Sequence, residues 1–559
     1  MTSQSLPHGM APISVLNLHG ARPRVNYWSQ LRPVYRNHVS PCTNGCPAGE
    51  QIATYMTFTT LGRYQEAWET ILLDNPFPGT CGRVCYHPCE PVCNRAAYDE
   101  PLAIHAIERH AADYAAAQGI MPSRIEPRFA EHVAVVGAGP AGLSCAYHLA
   151  RAGYRATVYE AHDSLGGMLR LGIPSYRLPH AVIDREVNCI ASLGVEIAPG
   201  QRLGKDFGVD DLFAEGYGAV FLAIGAHKGK TLGVPGEDLA GVRSGLDFLA
   251  EVNAGRHERL AGRVAIIGGG NTAMDVCRSA LRAGARPTVV YRRTRAEMPA
   301  IKEEIEEAER EGVEFVYLAA PKRVARLEKG KLGLECDKMR RGEPDAGGRR
   351  SVSRIEGGAV TLEFDTILLA IGEDPDLSSL PADVGASERQ IVVDRWGTTS
   401  RRGVFAGGDV ASQSRRVVDA IGDGKCAAVA IHRYLRGDQP GELAIPKRII
   451  PVGEIDLTQF AKAARVQIPT LPEEEAIHGF DEVNLDLGEG EAVGEANRCF
   501  SCGVCTFCDR CMFFCPDLAI EKAEADRGGY VVNFDWCKGC RLCVEFCPRE
   551  SMEMEGAPE

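Results

Sequence analysis

At 559 residues, with 45% apolar and 25% charged side chains, the chain has an ordinary globular composition and is too long for one core, so three or four domains are expected. A net charge of −13 argues against nucleic acid or an anionic membrane surface as a partner. No apolar run approaches the ~20 residues of a membrane span, and Met1 to Ile13 lacks the basic start and apolar stretch of a secretory signal; a reducing cytoplasm is therefore expected, with the 21 cysteines serving as metal ligands rather than disulfides.

Residues 1–40 carry no strong period and are expected to form an extended arm. From 41 to 128 the pattern is cysteine-rich and otherwise helical, as in Gln51 to Ile71 and Leu102 to Ala117. Cys42 and Cys46-Pro47 precede Cys81, Cys85, Cys89 and Cys93, which stand at equal spacing. Pro88 and Pro91 forbid one continuous helix with all four on a face, so the spacing alone predicts a metal centre and no more. The scattered Cys145, Cys189, Cys277, Cys336 and Cys426 are read as buried small hydrophobes.

His132-Val-Ala-Val-Val-Gly137 is a short apolar strand entering a glycine turn. Gly137-Ala-Gly139-Pro140-Ala141-Gly142 then opens a helix, Leu143 to Ala152, which is the context a dinucleotide fingerprint needs. Its glycines let backbone N–H groups approach a pyrophosphate at a helix N-terminus. The next strand ends in Glu160, placed for a ribose hydroxyl pair. Gly166-Gly167, shortly afterwards, offers a second backbone approach to the phosphates. Far downstream, Gly403 to Val410 is a strand in which Gly407 and Gly408 would let Asp409 lie against a ribityl chain. Gly422 and Gly424 are expected to lead into a helix facing a flavin ring. These features favour a flavin at the first turn; the alternative is a glycine turn with no ligand.

Arg263-Val-Ala-Ile-Ile-Gly268 repeats the strand and turn, continuing as Gly268-Gly-Gly270-Asn271-Thr272-Ala273, with alanine in the third glycine position. The following strand ends in Arg292-Arg293 instead of an acid. A guanidinium pair suits a 2′-phosphate, so NADP(H) is favoured over NAD(H); otherwise the pair is a solvated surface feature. Gly225 and Gly372 complete the expected nucleotide-binding positions. Alternating strand and helix signals around both turns predict doubly wound parallel sheets.

Residues 441–497 are acidic, contain proline and read as a connector. Ten cysteines then fall between Cys499 and Cys547. Cys505-x2-Cys508-x2-Cys511-x3-Cys515-Pro516 and Cys537-x2-Cys540-x2-Cys543-x3-Cys547-Pro548 have the bacterial ferredoxin form, in which the last cysteine of each run serves the other cluster. One [4Fe–4S] set is therefore Cys505, Cys508, Cys511 and Cys547, and the other Cys537, Cys540, Cys543 and Cys515; zinc is the competing occupant.

Together these residues resemble the small subunit of glutamate synthase and the N-terminal half of dihydropyrimidine dehydrogenase, from about Cys42 to Leu435, with a two-cluster ferredoxin module appended. The marks are Cys81-Gly-Arg-Val-Cys85, the Gly137 to Gly142 turn, Gly166-Gly-Met168-Leu169 with Gly172-Ile-Pro174, Gly268-Gly-Gly with Ala273-Met-Asp275, Tyr291-Arg-Arg293 and Gly407-Gly-Asp409. The resemblance implies an α/β chain with an N-terminal helical iron–sulfur domain, two Rossmann-like domains and a C-terminal α+β ferredoxin-like domain. It further implies FAD in the first nucleotide site and NADPH in the second, with the second domain inserted in the first. The expected boundaries are 41–128 for the helical domain, 129–245 with 370–440 for FAD, 246–369 for NADP(H), and 498–559 for the ferredoxin module.

The sequence departs from the family in one place. The family's N-terminal cysteines begin with a Cys-x2-Cys pair shortly before the position of Cys42, and that pair is missing here. Arg498-Cys499-Phe-Ser-Cys502-Gly503 has the missing form and is not needed by the ferredoxin runs. The expectation is a split cluster on Cys42, Cys93, Cys499 and Cys502. A companion would use Cys46, Cys85 and Cys89, with Glu108 where the family has a non-cysteine ligand. The rival is that Cys499 and Cys502 are relics and one N-terminal cluster forms.

The expected activity is electron transfer between NADPH and the clusters by way of FAD, in either direction, with no side chain required as general acid or base. By analogy the chain would be a subunit beside a 2-oxoacid:ferredoxin oxidoreductase, a glutamate synthase large subunit or a sulfite reductase. A stand-alone NADPH:ferredoxin-type reductase and an inactive cluster-bearing scaffold are the alternatives. Neither Rossmann unit carries the Cys-x-x-Cys of a disulfide reductase.

Overall fold

His132–Val136 is buried almost end to end, as a strand covered on both faces must be. It lies at the centre of a five-stranded parallel sheet in the order Val404–Ala406, Ala219–Leu222, His132–Val136, Arg155–Tyr159, Glu196–Ala198. This is a computed structural model, and it describes residues 31–256, 259–344, 350–438, 448–523 and 529–556. A second five-stranded parallel sheet has Arg263–Ile267 at its centre, in the order Glu314–Tyr317, Arg286–Tyr291, Arg263–Ile267, Thr366–Leu369, Val242–Ser244. In each sheet the glycine turn leaves the carboxyl end of the middle strand, the position where doubly wound sheets bind ligands. Val242–Ser244 pairs with Thr366–Leu369 and so belongs to the second sheet, a few residues ahead of the expected boundary.

A three-stranded antiparallel sheet, Ala319–Arg326, Leu332–Pro344 and Arg350–Phe364, packs Leu334, Cys336 and Phe364 against Ala265 and Ile367 of the second parallel sheet. Cys145, Cys189, Cys277 and Cys336 are buried as expected of small hydrophobes, while Cys426 is half-buried.

The N-terminal region is helical, but the run from Gln51 to Ile71 is two helices, Ile52–Thr60 and Tyr64–Leu72. The break falls at Leu61-Gly62-Arg63, where Gly62 adopts φ +68°. Of the expected arm, residues 1–30 lie outside the described residues. Leu31–Tyr35 is a strand that pairs antiparallel with Met552–Gly556 at the other end of the chain. Residues 448–497 are held along their length: Arg465 pairs with Glu90 at 2.6 Å, Arg282 donates to the Gly479 carbonyl at 3.1 Å, and the helix Glu489–Asn497 packs on Ile52–Thr60. The connecting segment runs as a strap along the cysteine-bearing helices; its first residues, 441–447, lie outside the described ones. No helix among the described residues is long and apolar enough to cross a membrane.

Candidate functional site

Between the two parallel sheets lies a cavity of about 680 Å³, within the range of cofactor pockets. Gly137, Gly139, Pro140, Ala141, Glu160, Gly167, Met168, Leu169, Gly225, Asn271, Thr272, Gly408 and Asp409 line it. Gly137 has φ +113°, and a Cβ there would lie 2.3 Å from the Ala223 carbonyl oxygen, so only glycine makes the turn. Gly139 and Gly270 precede the helices Pro140–Ala152 and Asn271–Arg282 and face open space, each leaving room for a phosphate at a helix N-terminus. Both Glu160 oxygens are oriented by backbone donors, from Ala138 at 2.8 Å and His162 at 2.9 Å. These features fit FAD at the first turn and a second dinucleotide at the other. Because Asn271 and Thr272 share the cavity with Gly139, the two sites open onto each other.

The remaining expected residues do not line the cavity. A Cβ on Gly142 would lie 1.9 Å from the Gly137 carbonyl, so that glycine seats the helix on its strand. Gly166 donates to Ala138 at 2.9 Å and buttresses the first turn. Gly268 abuts the Ala370 carbonyl, Ala273 is fully buried, and Gly372 lies near Lys230. Arg292 is exposed, and Arg293 donates to the Arg350 carbonyl at 3.3 Å. Gly422 and Gly424 do not precede a helix; they lie inside Val417–Arg436. The reason is packing: a Cβ on Gly424 would meet the Ala141 carbonyl at 2.2 Å, and one on Gly422 the Pro47 carbonyl at 2.6 Å. Gly422 thus presses the flavin-side helix onto the loop carrying Cys46. Gly422→Val should cost about 1–3 kcal/mol through overpacking, and should slow electron passage to the clusters while NADPH still bleaches the flavin. Rapid-mixing spectroscopy separates the two phases.

Sequence reasoning missed several cavity residues. Val84 and Tyr86 flank Cys85 and carry the iron–sulfur domain into the cavity wall. Arg177 holds Asp275 through bonds of 2.8 and 3.0 Å and Glu304 at 2.7 Å, tying the loop after Gly172-Ile-Pro174 to the second Rossmann unit. Burial pushes Asp275 up to about 6 despite this arginine. The signal was present in the family marks, since Arg177 and Asp275 each lie within or just beyond one of them.

The cysteines fall into four groups. Cys505, Cys508, Cys511 and Cys547 line one small cavity, and Cys515, Cys537, Cys540 and Cys543 line another, so each run lends its last cysteine to the other. In the N-terminal domain, Cys42 lies within electrostatic reach of Cys499, Cys93 and Cys502. Asn94, next to Cys93, donates to the Cys502 sulfur at 3.3 Å and to the Ile450 carbonyl at 2.9 Å. Arg95 donates to the Arg498 carbonyl at 3.0 Å, fastening the two chain ends beside these sulfurs.

Cys46, Cys85 and Cys89 gather with Glu108 and with Glu50, a carboxylate the sequence reading overlooked four residues after Cys46. Asn75 donates to both carboxylates at 2.9 Å. Burial pushes both acids up, helped at Glu50 by the charge of Asp74 and at Glu108 by that of Glu50. Cys81 shares a hydrogen bond with Cys85. Burial raises Cys42, Cys46 and Cys89 well above the ordinary thiol range, so metal binding must displace their protons.

Among the described residues, no three of these sulfurs come within 4.8 Å of one another. A tetrahedral zinc, with bonds of about 2.3 Å, would hold them about 3.8 Å apart. The groups are too wide for one zinc, as the ligands of a larger iron–sulfur cube would be. The trio that is that close, His87, Glu90 and His105, already pairs internally, Glu90 with His105 at 2.7 Å.

Comparison with known proteins agrees with this geometry. Residues 131–424 match the pyridine nucleotide-disulphide oxidoreductase model. Residues 35–120 match the 4Fe-4S cluster domain II of dihydropyrimidine dehydrogenase, and residues 530–553 a 4Fe-4S binding domain. The NADPH-Fe(3+) oxidoreductase subunit beta of Geobacter sulfurreducens (strain DL-1 / KN400) is 38% identical over 515 residues, covering 83% of this chain and 75% of that protein. The NADP(+)-dependent formate dehydrogenase subunit beta of Moorella thermoacetica is 40% identical over 501 residues, covering 83% and 70%. The glutamate synthase [NADPH] small chain of Azospirillum brasilense is 34% identical over 438 residues, covering 72% and 88%. Nucleotide turns, cysteine groups and these matches agree that the chain belongs to the pyridine nucleotide-disulphide oxidoreductase family, as an NAD(P)H-dependent flavin and iron–sulfur oxidoreductase.

Proposed function

We propose that the chain is the NADPH-handling, electron-transfer subunit of a larger assembly whose other subunit carries a second redox or substrate site. One observation carries the reading: a single cavity is bounded by the first glycine turn, by Asn271 and Thr272 of the second, and by Val84 and Tyr86 on either side of Cys85. When bound, FAD exchanges a hydride for single electrons and the clusters carry those electrons one at a time. The protein's part is placement. The N–H groups at Gly139 and Gly270 hold the two pyrophosphates, Glu160 takes a ribose, and Asp409 stands over the ribityl chain. Arg292 and Arg293 take the 2′-phosphate. Cys46, Cys85 and Cys89 with Glu108 hold the cluster nearest the cavity; Cys42, Cys93, Cys499 and Cys502 hold the next; the two ferredoxin groups follow. The two ferredoxin groups lie beside each other, with Cys511 within electrostatic reach of Cys543. Cys508 and Cys540, one in each ferredoxin group, are exposed, where a partner can reach the clusters.

Relatives named as subunits of NADPH-Fe(3+) oxidoreductase, formate dehydrogenase and glutamate synthase support membership of a complex. Anaerobic mixing with NADPH tests the central reading: the yellow flavin band should bleach first and reduced-cluster signals should follow in electron paramagnetic resonance. A bleached flavin beside fully oxidised clusters would overturn it. Native purification with a stoichiometric second subunit supports the complex; a monomer that reduces free ferredoxin at full rate supports the stand-alone reductase.

A further inference from the structure

Among the described residues Arg549 forms no ion pair with an acid, and it lies where two cysteine groups meet. It follows Cys547-Pro548, and its hydrogen bond goes to the Pro548 carbonyl at 3.3 Å, while its Nε is buried without a partner. Its guanidinium packs over the Phe460 ring at 5.0 Å. Phe460 in turn meets Phe500, the residue after Cys499, with ring centres 4.6 Å apart. On its other side Arg549 lines the cavity formed by Cys505, Cys508, Cys511 and Cys547. The charges that reach it are sulfurs: Cys499 and Cys502 of one group, Cys508 and Cys547 of the other. Two neighbouring arginines are neutralised instead, Arg95 by Asp99 at 2.6 Å and Arg498 by Glu495 at 2.7 Å.

A half-buried guanidinium with a dry, unpaired N–H is unfavourable unless an anion stands near it. A cluster held by four thiolates is such an anion, and reduction adds one more negative charge. Net charge and hydrogen bonds at the sulfurs set its potential. A fixed positive charge therefore favours the reduced form. Between two clusters it does more, because each reduced cluster otherwise raises the cost of reducing its neighbour.

We propose that Arg549 is a positioning residue shared by the Cys42, Cys93, Cys499 and Cys502 cluster and the Cys505, Cys508, Cys511 and Cys547 cluster, raising both potentials and letting both hold an electron at once. No bond forms or breaks: each cluster accepts one electron, and the two together store the pair that one hydride supplies. The inference rests on the split cluster proposed above.

The test is a chemical redox titration of the anaerobic holoprotein with dithionite, followed by electron paramagnetic resonance. This is independent of NADPH, so it stands apart from the functional reading. Arg549→Met should keep the wild-type iron content, move the midpoints of both clusters to more negative potential, and delay the spin-coupled signal of the doubly reduced pair. Arg549→Lys should recover part of the shift. Should the methionine variant lose iron, Arg549→Gln, which keeps a planar polar head without charge, should show the same negative shift. Unchanged midpoints in an iron-replete neutral variant, or a shift confined to one cluster, would overturn the proposal. Iron counting in a Cys499 and Cys502 variant fails separately, by showing that the split cluster itself is absent.

Discussion

The double variant Cys499→Ser, Cys502→Ser should keep its FAD and lose about four iron atoms per chain, one [4Fe–4S] cluster. NADPH should still bleach the flavin, because the nucleotide cavity contains neither residue. The ferredoxin clusters should no longer be reduced by NADPH, although dithionite should still reach them. The expectation follows from the convergence of two chain ends on one group of sulfurs. Cys42 and Cys93 come from the first hundred residues, Cys502 accepts from Asn94, and Arg95 is bound to the Arg498 carbonyl. The module itself should survive, since its attachment has other bonds. Leu31–Tyr35 pairs with Met552–Gly556, Arg498 donates to the Glu100 carbonyl at 2.7 Å, and Glu495 accepts from Ala103 at 2.8 Å. Loss of the whole module would therefore be visible as the loss of about twelve irons rather than four. Unchanged iron would make Cys499 and Cys502 relics, and would leave the N-terminal domain with one cluster.

Much of this architecture was legible because its constraints are local. A strand that must end in Gly137 at φ +113° writes its requirement in adjacent letters, and a ferredoxin run fixes its own spacing. What was not legible depends on distant partners. Leu31–Tyr35 has no period of its own and becomes a strand only because Met552–Gly556 offers an edge. The antiparallel sheet of residues 319–364 reads as ordinary strand alternation until its apolar face meets Ala265 and Ile367. Glycine in sequence usually marks the edge of an element, yet Gly422 and Gly424 sit inside Val417–Arg436 and serve close packing, which no local pattern announces. Glu50 was passed over for the same reason: only the fold sets it across Asn75 from Glu108. Arg549 follows the last ferredoxin cysteine by two residues, and only the fold brings Phe460 and two groups of sulfurs to it.

The double variant Arg292→Ala, Arg293→Ala should raise the KM for NADPH roughly a hundredfold and leave that for NADH nearly unchanged, since hydrogen bonds to a charged group contribute about 1.5–3 kcal/mol each. Both arginines leave the end of Arg286–Tyr291, the strand that follows the second glycine turn, where an acid would instead select the free ribose hydroxyl. Tyr291 sets their position: its ring lies against Gly269, where a Cβ would come within 2.6 Å, and its hydroxyl donates to the Glu297 carbonyl at 2.9 Å. Arg292 is exposed and projects no ion pair among the described residues, whereas Arg293 is pinned to the Arg350 carbonyl and keeps a buried Nη1 without a partner. That orphaned donor fits a phosphate oxygen better than water. Arg292→Ala alone should therefore weaken NADPH with little effect on folding, while Arg293→Ala should also loosen the hairpin strand Arg350–Phe364 and lower the melting temperature. Comparison of kcat/KM for the two coenzymes decides the matter: a preference for NADPH that survives the double substitution would place the 2′-phosphate elsewhere and return both arginines to the solvated surface.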